Sequence, residues 1–600
     1  MAGITVPERR EIAPEHTWNA PSVFPSVQAW EAEFRDIEAG LSLLKPDKEM
    51  TGAAALYGVL QNTENTLRRA AKLVVYASMS YSVDSGDRAA VAMNDRVQGL
   101  TGKVMAATAF LDPALLALGR ETLERWMKED SRLAVYGHYV DNLFRRRKHV
   151  RSAEVEEVLG MLAGPFSGPH VTYTALTDAD FKFAPAVGED GRQTPVTQGT
   201  IDAILTSSDR EARRTGWQNY GDTHLTFKNT LANTLAASVK QDVFKTRARG
   251  HYSTLEGTLF EDNVPVEVFH NLIDVFKKNL PTWHRYWRLL RRALKVDTLH
   301  PYDIRAPLTR AKPRIEYHQA VEMISAGLAP MGEEYVRALR QGCLADRWVD
   351  IYPNVGKAAG AFSTGSSGTH PFICMSFTDD VNSLSTLTHE LGHSMHSYLT
   401  WRHQPFIYSD YSLFVAEVAS NFHQAMVRAH LLATAKDSAF QISLIEEAMA
   451  NFHRYFFIMP TLARFELDVH QRTERGEGIT ANGLIDLMAD LFAEGYGGEV
   501  HMDRERVGIT WATFGHLYHD YYVYQYATGI SAANALSNRI LSGTPGAVQD
   551  YLNFLSAGSS VYPLDALKMA GVDLTTPRAV EETFGILSSY VNRLEKLIPG

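Results

Sequence analysis

The sequence predicts a mainly α-helical protein with two lobes and a small β-sheet beside one central helix. Most of the chain places apolar residues three and four positions apart, which is the period of a helix. Glycine and proline cluster in a few places instead of recurring at regular intervals, so a β-sandwich is not expected. The 600 residues exceed what one hydrophobic core normally organises, which predicts two or more packed lobes.

Three stretches carry the helical pattern most clearly. Residues 53–79 and 231–249 each read as an amphipathic helix. Residues 264–294 continue the pattern, but Pro281 interrupts it, because proline lacks the N–H that a helix interior needs. We find no fixed-period repeat of the kind that marks a helical solenoid.

Two segments break the helical pattern. Residues 182–200 are polar and turn-rich, so we predict an N-terminal helical lobe over 1–190 and a second domain over 191–600. The other segment is rich in Gly, Ser and Thr over 352–370, and the sequence PFICMSF that follows it at 371–377 reads as a short strand. A helix over 384–399 comes next, so the small sheet is expected beside that helix.

Composition limits the classes of partner and the compartment. A net charge of -10 and a pI near 6.1 argue against a nucleic-acid-binding surface, and the short basic run RRRKHVR at 145–151 is typical of a solvated helix face. Cys343 and Cys374 form no CxxC pair, which fits a reducing compartment. The polar N-terminus and the lack of a run of ~18 apolar residues predict a cytoplasmic protein without a membrane partner.

The sequence HELGH at 389–393 predicts a metal-binding site. On a helix, His389 and His393 are four residues apart and lie on one face, where two neutral imidazoles can bind the same Zn²⁺ ion. Glu390 points to the side of that face, so it can take a proton from a water activated by the metal. Gly392 allows another element to approach closely, although it costs about 1 kcal/mol of helix propensity relative to alanine.

A third ligand is needed after the second histidine. The pattern with a histidine six residues further on is excluded, because that position is Leu399. Glu417 lies on a following apolar helix, where a buried acid is costly unless it is paired or metal-bound, whereas Asp410 sits in a polar turn and looks like a helix cap. His396 shares the stripe of His389 and fits either a partner of a ligating histidine or a core histidine.

With these residues in view, the chain resembles the thimet-type oligopeptidases, most closely oligoendopeptidase F. The resemblance covers nearly the whole chain. It is carried by HELGH (389–393), AGAFSTGSSGTHPFICMSF (359–377), YSDYSLFVAEVASNF (408–422) and FGHLYHDYYVYQYATG (514–529).

The resemblance implies a zincin-type metalloendopeptidase that cleaves short, unstructured oligopeptides and spares folded proteins. It implies a mostly helical fold with two lobes flanking a deep internal channel, and one zinc ion per chain. The zinc ligands are then His389, His393 and Glu417, with Glu390 as general base, and the catalytic domain is 191–600.

The 514–529 segment has donors for the oxyanion that peptide hydrolysis creates. Each donor aimed at such an oxyanion contributes about 10²–10³ in rate. His516, Tyr522 and Tyr524 are the predicted donors, and Tyr521 could take the part of Tyr522, because relatives place glycines between the histidine and the tyrosines and this chain does not. Buried tyrosines that pack a helix interface are the alternative interpretation.

The segment before the HELGH helix is the expected substrate side. The strand at 371–377 could hold a peptide by β-augmentation, in which backbone hydrogen bonds read peptide shape and not sequence. Gly365 and Gly368, with Gly360, would let the loop move over the bound peptide. A flexible surface loop is the alternative.

Two other functions remain open at this point. An exopeptidase of the same superfamily would need an Arg or Lys that binds a free carboxylate. A non-catalytic helical binding protein would keep only a structural metal, but such sites usually have four protein ligands, often cysteines. The sequence does not choose between a monomer and a homodimer.

Overall fold

The computed structural model describes residues 6–44, 50–310 and 313–598. The chain divides into two compact units. The first comprises Met1–Lys148, Arg314–His430 and Leu536–Gly571, and the second comprises His149–Pro313, Leu431–Ala535 and Val572–Gly600. The division into 1–190 and 191–600 stays a prediction, because compactness does not by itself define a domain that folds alone.

The described part of the chain is mainly helical, as predicted. Its first half contains α1 (Val27–Gly40), α2 (Ala53–Val83), α3 (Arg88–Thr108), α4 (Leu111–Leu118), α5 (Arg120–Glu129), α6 (Gly137–Arg146), α7 (Ala153–Met161), α8 (Ala163–Thr174), α9 (Ile201–Leu205), α10 (Arg210–Thr226), α11 (Lys228–Arg249), α12 (Thr254–Glu261), α13 (Glu267–Lys278) and α14 (Leu280–Ala293).

The second half continues with α15 (Tyr317–Gly327), α16 (Glu333–Leu344), α17 (Val381–His403), α18 (Leu413–Thr434), α19 (Ser438–His453), α20 (Met459–Glu474), α21 (Ala481–Tyr496), α22 (Arg504–Gly508), α23 (Tyr524–Leu541), α24 (Ala547–Ala557), α25 (Pro563–Met569) and α26 (Arg578–Leu597). The helices predicted over 53–79, 231–249 and 384–399 lie within α2, α11 and α17. The predicted interruption near Pro281 is present, because α13 ends at Lys278 and α14 begins at Leu280.

Two small sheets are present among the described residues. Strands β1 (Ala186–Val187) and β2 (Gln193–Thr194) pair antiparallel. Strands β3 (Val349–Asp350), β4 (Phe362–Thr364) and β5 (Phe372–Cys374) form the second sheet in the order β3-β5-β4. Both β4 and β5 contact α17, so the predicted sheet beside the HELGH helix is confirmed.

The prediction that the 371–377 strand binds a peptide by β-augmentation is wrong. Within it, β5 is the central strand, paired in parallel with β3 and antiparallel with β4. Both of its hydrogen-bonding edges are therefore used, and an added strand has no place there. The edge strand next to α17 is β4, in which Ser363 pairs with Ile373.

The core of the first unit fixes this sheet against helices. Phe372 and Cys374 of β5 are buried in one cluster with Trp30 and Phe34 of α1 and with Leu73 of α2. Burial of large apolar side chains at roughly 25 cal/mol per Å² makes this packing the dominant local stabilisation. The sheet is therefore anchored on the side that faces away from solvent.

One stretch, Arg88–Leu118, is long and apolar enough by length and composition to cross a membrane. It consists of α3 and α4, and Met93, Val97, Leu100 and Val104 of α3 are buried in the same core cluster. A single stretch of this kind, of whose apolar window 28% is buried, is weak evidence for a membrane span. The stretch therefore carries no membrane assignment.

Gly392 allows α17 and α18 to approach each other very closely. A Cβ atom added at Gly392 would lie 2.4 Å from the carbonyl oxygen of Ala419 and 2.5 Å from Cα of Ser420. Both are backbone atoms of α18, which cannot move away as a flexible side chain can. The local cost of a glycine inside a helix is thus offset by close packing of the two helices.

We expect Gly392→Ala to lower the free energy of unfolding by roughly 1–3 kcal/mol, because the added methyl group overlaps the α18 backbone. Thermal or chemical denaturation measures this loss. Gly58→Ala in α2 is the matched control, because its Cβ would meet nothing within 4 Å. That control should gain about 0.5–1 kcal/mol from helix propensity. Equal stability of Gly392→Ala and the native protein would show that the close approach is not required.

Candidate metal centre

Helix α17 places the two histidines of HELGH side by side. Asp380 caps the helix by accepting a hydrogen bond from the backbone N–H of Ser383 at 2.7 Å. One turn separates His389 from His393, and their ring centroids lie 4.9 Å apart with the planes at 83°. The rings thus face a common point from different directions.

Helix α18 brings Glu417 to the same point. Its Oε2 lies 3.4 Å from His389 Nε2 and 3.9 Å from His393 Nε2. The ligand atoms of the three residues all lie within 4.8 Å of one another, and the three side chains are 14–18% exposed. Asp410, the alternative third ligand, is exposed and does not belong to this group.

The donor set fits a small divalent metal ion. A tetrahedral ion with bonds of about 2.0–2.1 Å holds its ligand atoms about 3.3 Å apart, which is close to the His389–Glu417 separation. Two imidazoles and one carboxylate suit zinc, and three protein ligands leave one position open. The group therefore has the chemistry and the spacing of an open metal site.

Glu390 lies beside this group without belonging to it. Its side chain is 6% exposed, and its Oε2 has no hydrogen-bond partner among the described residues. Burial, opposed by His389 and the backbone N–H of Ser363 and aided by the negative charge of Glu417, raises the pKa of Glu390 to about 7. A buried carboxyl oxygen without a partner is costly, so its presence indicates a ligand or a reacting group at this place.

Two polar residues of α18 form hydrogen bonds with the candidate ligands, and neither was predicted from the sequence. His389 Nδ1 donates to Gln424 Oε1 at 3.2 Å, and the Gln424 amide in turn donates to Ser385 Oγ at 2.7 Å. Ser420 Oγ donates to Glu417 Oε2 at 3.1 Å. The signal was available, because Ser420 and Gln424 follow Glu417 by three and seven residues on one helical stripe.

His396 is buried in the core and is not part of the ligand group. Its ring stacks on Tyr411 with 3.7 Å between the ring centroids and 8° between the planes. Burial lowers the pKa of His396 to about 3. Of the two interpretations left open by the sequence, this arrangement matches the core histidine.

The 514–529 segment belongs to the second compact unit. His516 and Tyr522 lie face to face, with ring centroids 6.0 Å apart and 11° between the planes. Tyr526 donates from its hydroxyl to the Tyr522 hydroxyl at 3.0 Å and stacks on Tyr455 at 5.1 Å. Burial lowers the pKa of His516 to about 4, so its ring is neutral at neutral pH.

The other two tyrosines of this segment are buried. Tyr521 shares a hydrogen bond with Thr254 Oγ1 at 3.1 Å, and its backbone has a φ of 48°. Tyr524 packs against Phe269 with ring centroids 5.4 Å apart. The structure therefore groups Tyr522 with His516 and does not place Tyr521 or Tyr524 in that pair.

Gly365 and Gly368 follow β4 and have positive φ angles of 152° and 96°. A Cβ atom at Gly365 would lie 2.5 Å from the Trp401 ring and 2.9 Å from the His370 carbonyl oxygen, whereas one at Gly368 would meet nothing within 4 Å. Gly365 is thus required by close packing. A role of either glycine in substrate binding stays a prediction.

Comparisons with known proteins agree on one family. The profile described as peptidase family M3 matches residues 203–586, and the profile described as oligopeptidase F matches residues 115–183. Oligopeptidase PepF of Bacillus subtilis is 36% identical over 99% of this chain and 89% of its own length. Group B oligopeptidase PepB of Streptococcus agalactiae is 31% identical over 98% of both chains.

Solved structures give the same result. The crystal structure of oligoendopeptidase-F from Enterococcus faecium has a TM-score of 0.75 and 30% sequence identity, and it covers 95% of this chain and 99% of that one. A second crystal structure, from Chlamydophila abortus, has a TM-score of 0.88 and 29% identity over 99% of this chain and 100% of that one.

We expect Gln424→Ala to weaken metal binding about 10- to 100-fold, because His389 loses the acceptor that fixes its ring. Competition with a chromophoric chelator measures this affinity. Gln424→Glu keeps an oxygen acceptor at the same place and should retain the native affinity. Native affinity in Gln424→Ala would contradict the assigned orienting role.

Proposed function

This chain belongs to peptidase family M3, and we propose that it is a zinc-dependent endopeptidase acting on short, unstructured oligopeptides. Membership of the family makes it a metallo-oligopeptidase that hydrolyses peptide bonds. It also disfavours a non-catalytic binding protein. The identity of the metal, the mechanism and the site residues are the parts that we propose.

The observation that carries the proposal is the convergence of His389, His393 and Glu417 beside the unpartnered Oε2 of Glu390. A structural site would be closed by a fourth protein ligand. Among the described residues only these three form the group, and Glu390 stands next to it as a buried carboxyl group.

The three ligands would hold the ion, and Gln424 and Ser420 would keep two of them oriented. When bound, zinc would supply Lewis-acid polarisation of the scissile carbonyl and of the attacking water. Glu390 accepts a proton from that water at Oε2 and then delivers it to the nitrogen of the leaving amine. Its position on α17, directly after His389, keeps the carboxyl group beside the ligands without making it one.

His516 and Tyr522 are the proposed donors to the oxyanion, and Tyr524 is retained as a further candidate. A neutral imidazole N–H and a phenolic O–H can both donate. The hydrogen bond from Tyr526 and the stacked ring of His516 support Tyr522 over Tyr521, whose hydroxyl is already bound to Thr254.

We propose that β4, and not β5, binds the peptide substrate. This strand lies at the edge of its sheet, and its Ser363 backbone is close enough to Glu390 to lower the pKa of that carboxyl group. A peptide added to this edge would be held by backbone hydrogen bonds, which favours broad specificity and unstructured substrates. Gly365 and Gly368 directly after β4 are the proposed contacts of the loop with that peptide.

Peptides are the expected partners, since the family consists of peptidases. We also propose a cytoplasmic location without nucleic-acid or membrane partners, supported by the net charge of -10 and by the free, buried Cys343 and Cys374. Monomer and homodimer both remain compatible with the sequence.

We expect Glu390→Gln to lower kcat by about 10²–10⁴ while the metal stays bound, because the general base is lost and the ligands are kept. An internally quenched peptide that is blocked at both ends measures endopeptidase activity, and metal analysis measures occupancy. Glu333→Gln on α16 is the control, since that side chain is 89% exposed and should leave kcat unchanged.

The same assay tests the metal and the mode of cleavage. A chelator should abolish cleavage and added zinc should restore it. Cleavage only of a peptide with a free C-terminus would identify an exopeptidase instead. Full activity of Glu390→Gln would overturn the proposed general base.

Tyr522→Phe should lower kcat about 10²- to 10³-fold with little change in KM, because an oxyanion donor acts mainly in the transition state. Tyr521→Phe should keep the native kcat and lose about 1 kcal/mol of stability with its bond to Thr254. Steady-state kinetics and denaturation separate the two effects. A native kcat in Tyr522→Phe and a large loss in Tyr524→Phe would move the role to Tyr524.

A further inference from the structure

A second group of metal-ligating side chains lies in the other compact unit. His149, His251 and Glu256 have ligand atoms within 4.8 Å of one another. His149 is part of the basic run at 145–151, which has no part in the proposed peptidase mechanism. The three residues share the second compact unit, whereas His389, His393 and Glu417 belong to the first.

The local sequence explains how two of these residues meet. Gly250 ends α11 in the left-handed conformation at a φ of 75°, where a glycine is favoured. Ser253 then caps α12 by accepting the backbone N–H of Glu256 at 3.1 Å. His251 therefore lies in the short connection between the two helices, and Glu256 lies in the first turn of α12.

His149 presents a lone pair into the group. Its Nδ1 lies 3.1 Å from the carbonyl oxygen of Arg249, and because a carbonyl only accepts, Nδ1 carries the proton. In the neutral ring Nε2 then has a free lone pair. This atom is buried and has no hydrogen-bond partner among the described residues. A ring N–H bound to a backbone carbonyl is also the usual support of a metal-ligating histidine.

His251 and Glu256 supply the other two donors. The His251 side chain is 4% exposed, and its Nδ1 is buried without a hydrogen bond in the described part of the chain. It lies 3.3 Å from Glu256 Oε2, which is held by the backbone N–H of Tyr252 at 2.9 Å. Glu256 is 34% exposed, so an ion can reach the group from solvent on that side.

Charges of both signs surround the group, since His149 belongs to the basic run at 145–151 and carboxylate groups lie nearby. The guanidinium group of Arg249 is paired with Glu156 at 3.0 Å. Glu261 adds a negative charge that acts on His251. Arg151 is the opposing charge, since its Nη1 lies 3.6 Å from where a Cβ of Gly250 would be.

The two histidine rings are stacked, with 3.7 Å between the ring centroids and 13° between the planes, and Phe260 packs its ring against both. An ion bound by both rings must lie near the plane of each, so one ring has to turn about χ2 out of this stack. The χ2 torsion of histidine is broad, so such a turn costs on the order of 1 kcal/mol in torsional energy, in addition to the lost contact with Phe260.

We propose that His149, His251 and Glu256 form a second binding site for a divalent transition metal ion, with zinc as the expected occupant. Two imidazole nitrogens and one carboxylate are zinc-type ligands, and the buried Nε2 of His149, which has no hydrogen-bond partner among the described residues, would gain one. The ion would tie the segment around His149 to the connection between α11 and α12. The site is independent of the proposed catalytic mechanism.

The stoichiometry of tightly bound zinc tests this proposal. The full-length protein is stripped with a chelator, reloaded with zinc, desalted and analysed by mass spectrometry for metal and by absorbance for protein. We expect two zinc ions per native chain, one in His251→Gln and one in the double variant His389→Gln/His393→Gln. The triple variant His251→Gln/His389→Gln/His393→Gln should bind none. His251→Gln should cleave the blocked peptide as fast as the native protein does.

His284→Gln is the matched control. His284 Nε2 contacts the carbonyl oxygen of Glu494 at 3.1 Å, and His284 belongs to neither group, so its variant should keep two zinc ions. Cobalt absorption bands in the double variant, and their loss in the triple variant, provide a readout that does not depend on activity. The proposal is overturned if the native protein and His251→Gln each bind one zinc ion. It is also overturned if the double variant melts at the temperature of the native protein, which shows that it is folded, and binds no metal.

Discussion

The close approach of α17 to α18 is the constraint on which the candidate metal centre depends. His389 and His393 come from one helix and Glu417 from the other, so the distance between the helices sets the distance between ligands. A methyl group at Gly392 would overlap the backbone of α18. The glycine therefore acts on the metal site through packing and not through its own chemistry.

Burial then gives the residues of the centre their electrostatic character. Removing Glu390 from water raises its pKa, and removing His393 from water lowers its pKa to about 4, so burial shifts both groups toward the neutral form. Such a cluster costs stability in isolation. A bound cation reverses much of that cost, because it supplies the opposite charge to Glu417 and accepts the lone pairs of the histidines.

The 514–529 segment is held by hydrogen bonds that fix a turn with a positive φ angle. Tyr521 adopts a φ of 48°, which is unfavourable for a residue with a side chain. Its backbone N–H donates to Glu466 Oε1 at 2.7 Å, and its hydroxyl is bound to Thr254, so the strained turn is fixed from two sides. The turn presents the neighbouring Tyr522 beside His516. Backbone strain supported in this way is typical of functional segments.

The sequence by itself determined the helices and the spacing of the two HELGH histidines, because spacing within a helix is a local property. Its motifs also resembled the family. It also indicated Gly392 as a point of close approach. The sequence already favoured Glu417 over Asp410, and the tertiary structure brings Glu417 to the histidines. Only the tertiary structure decided that β5 lies in the centre of its sheet and that His149 meets His251. These facts depend on contacts between distant segments, and local periodicity carries no information about which segments meet.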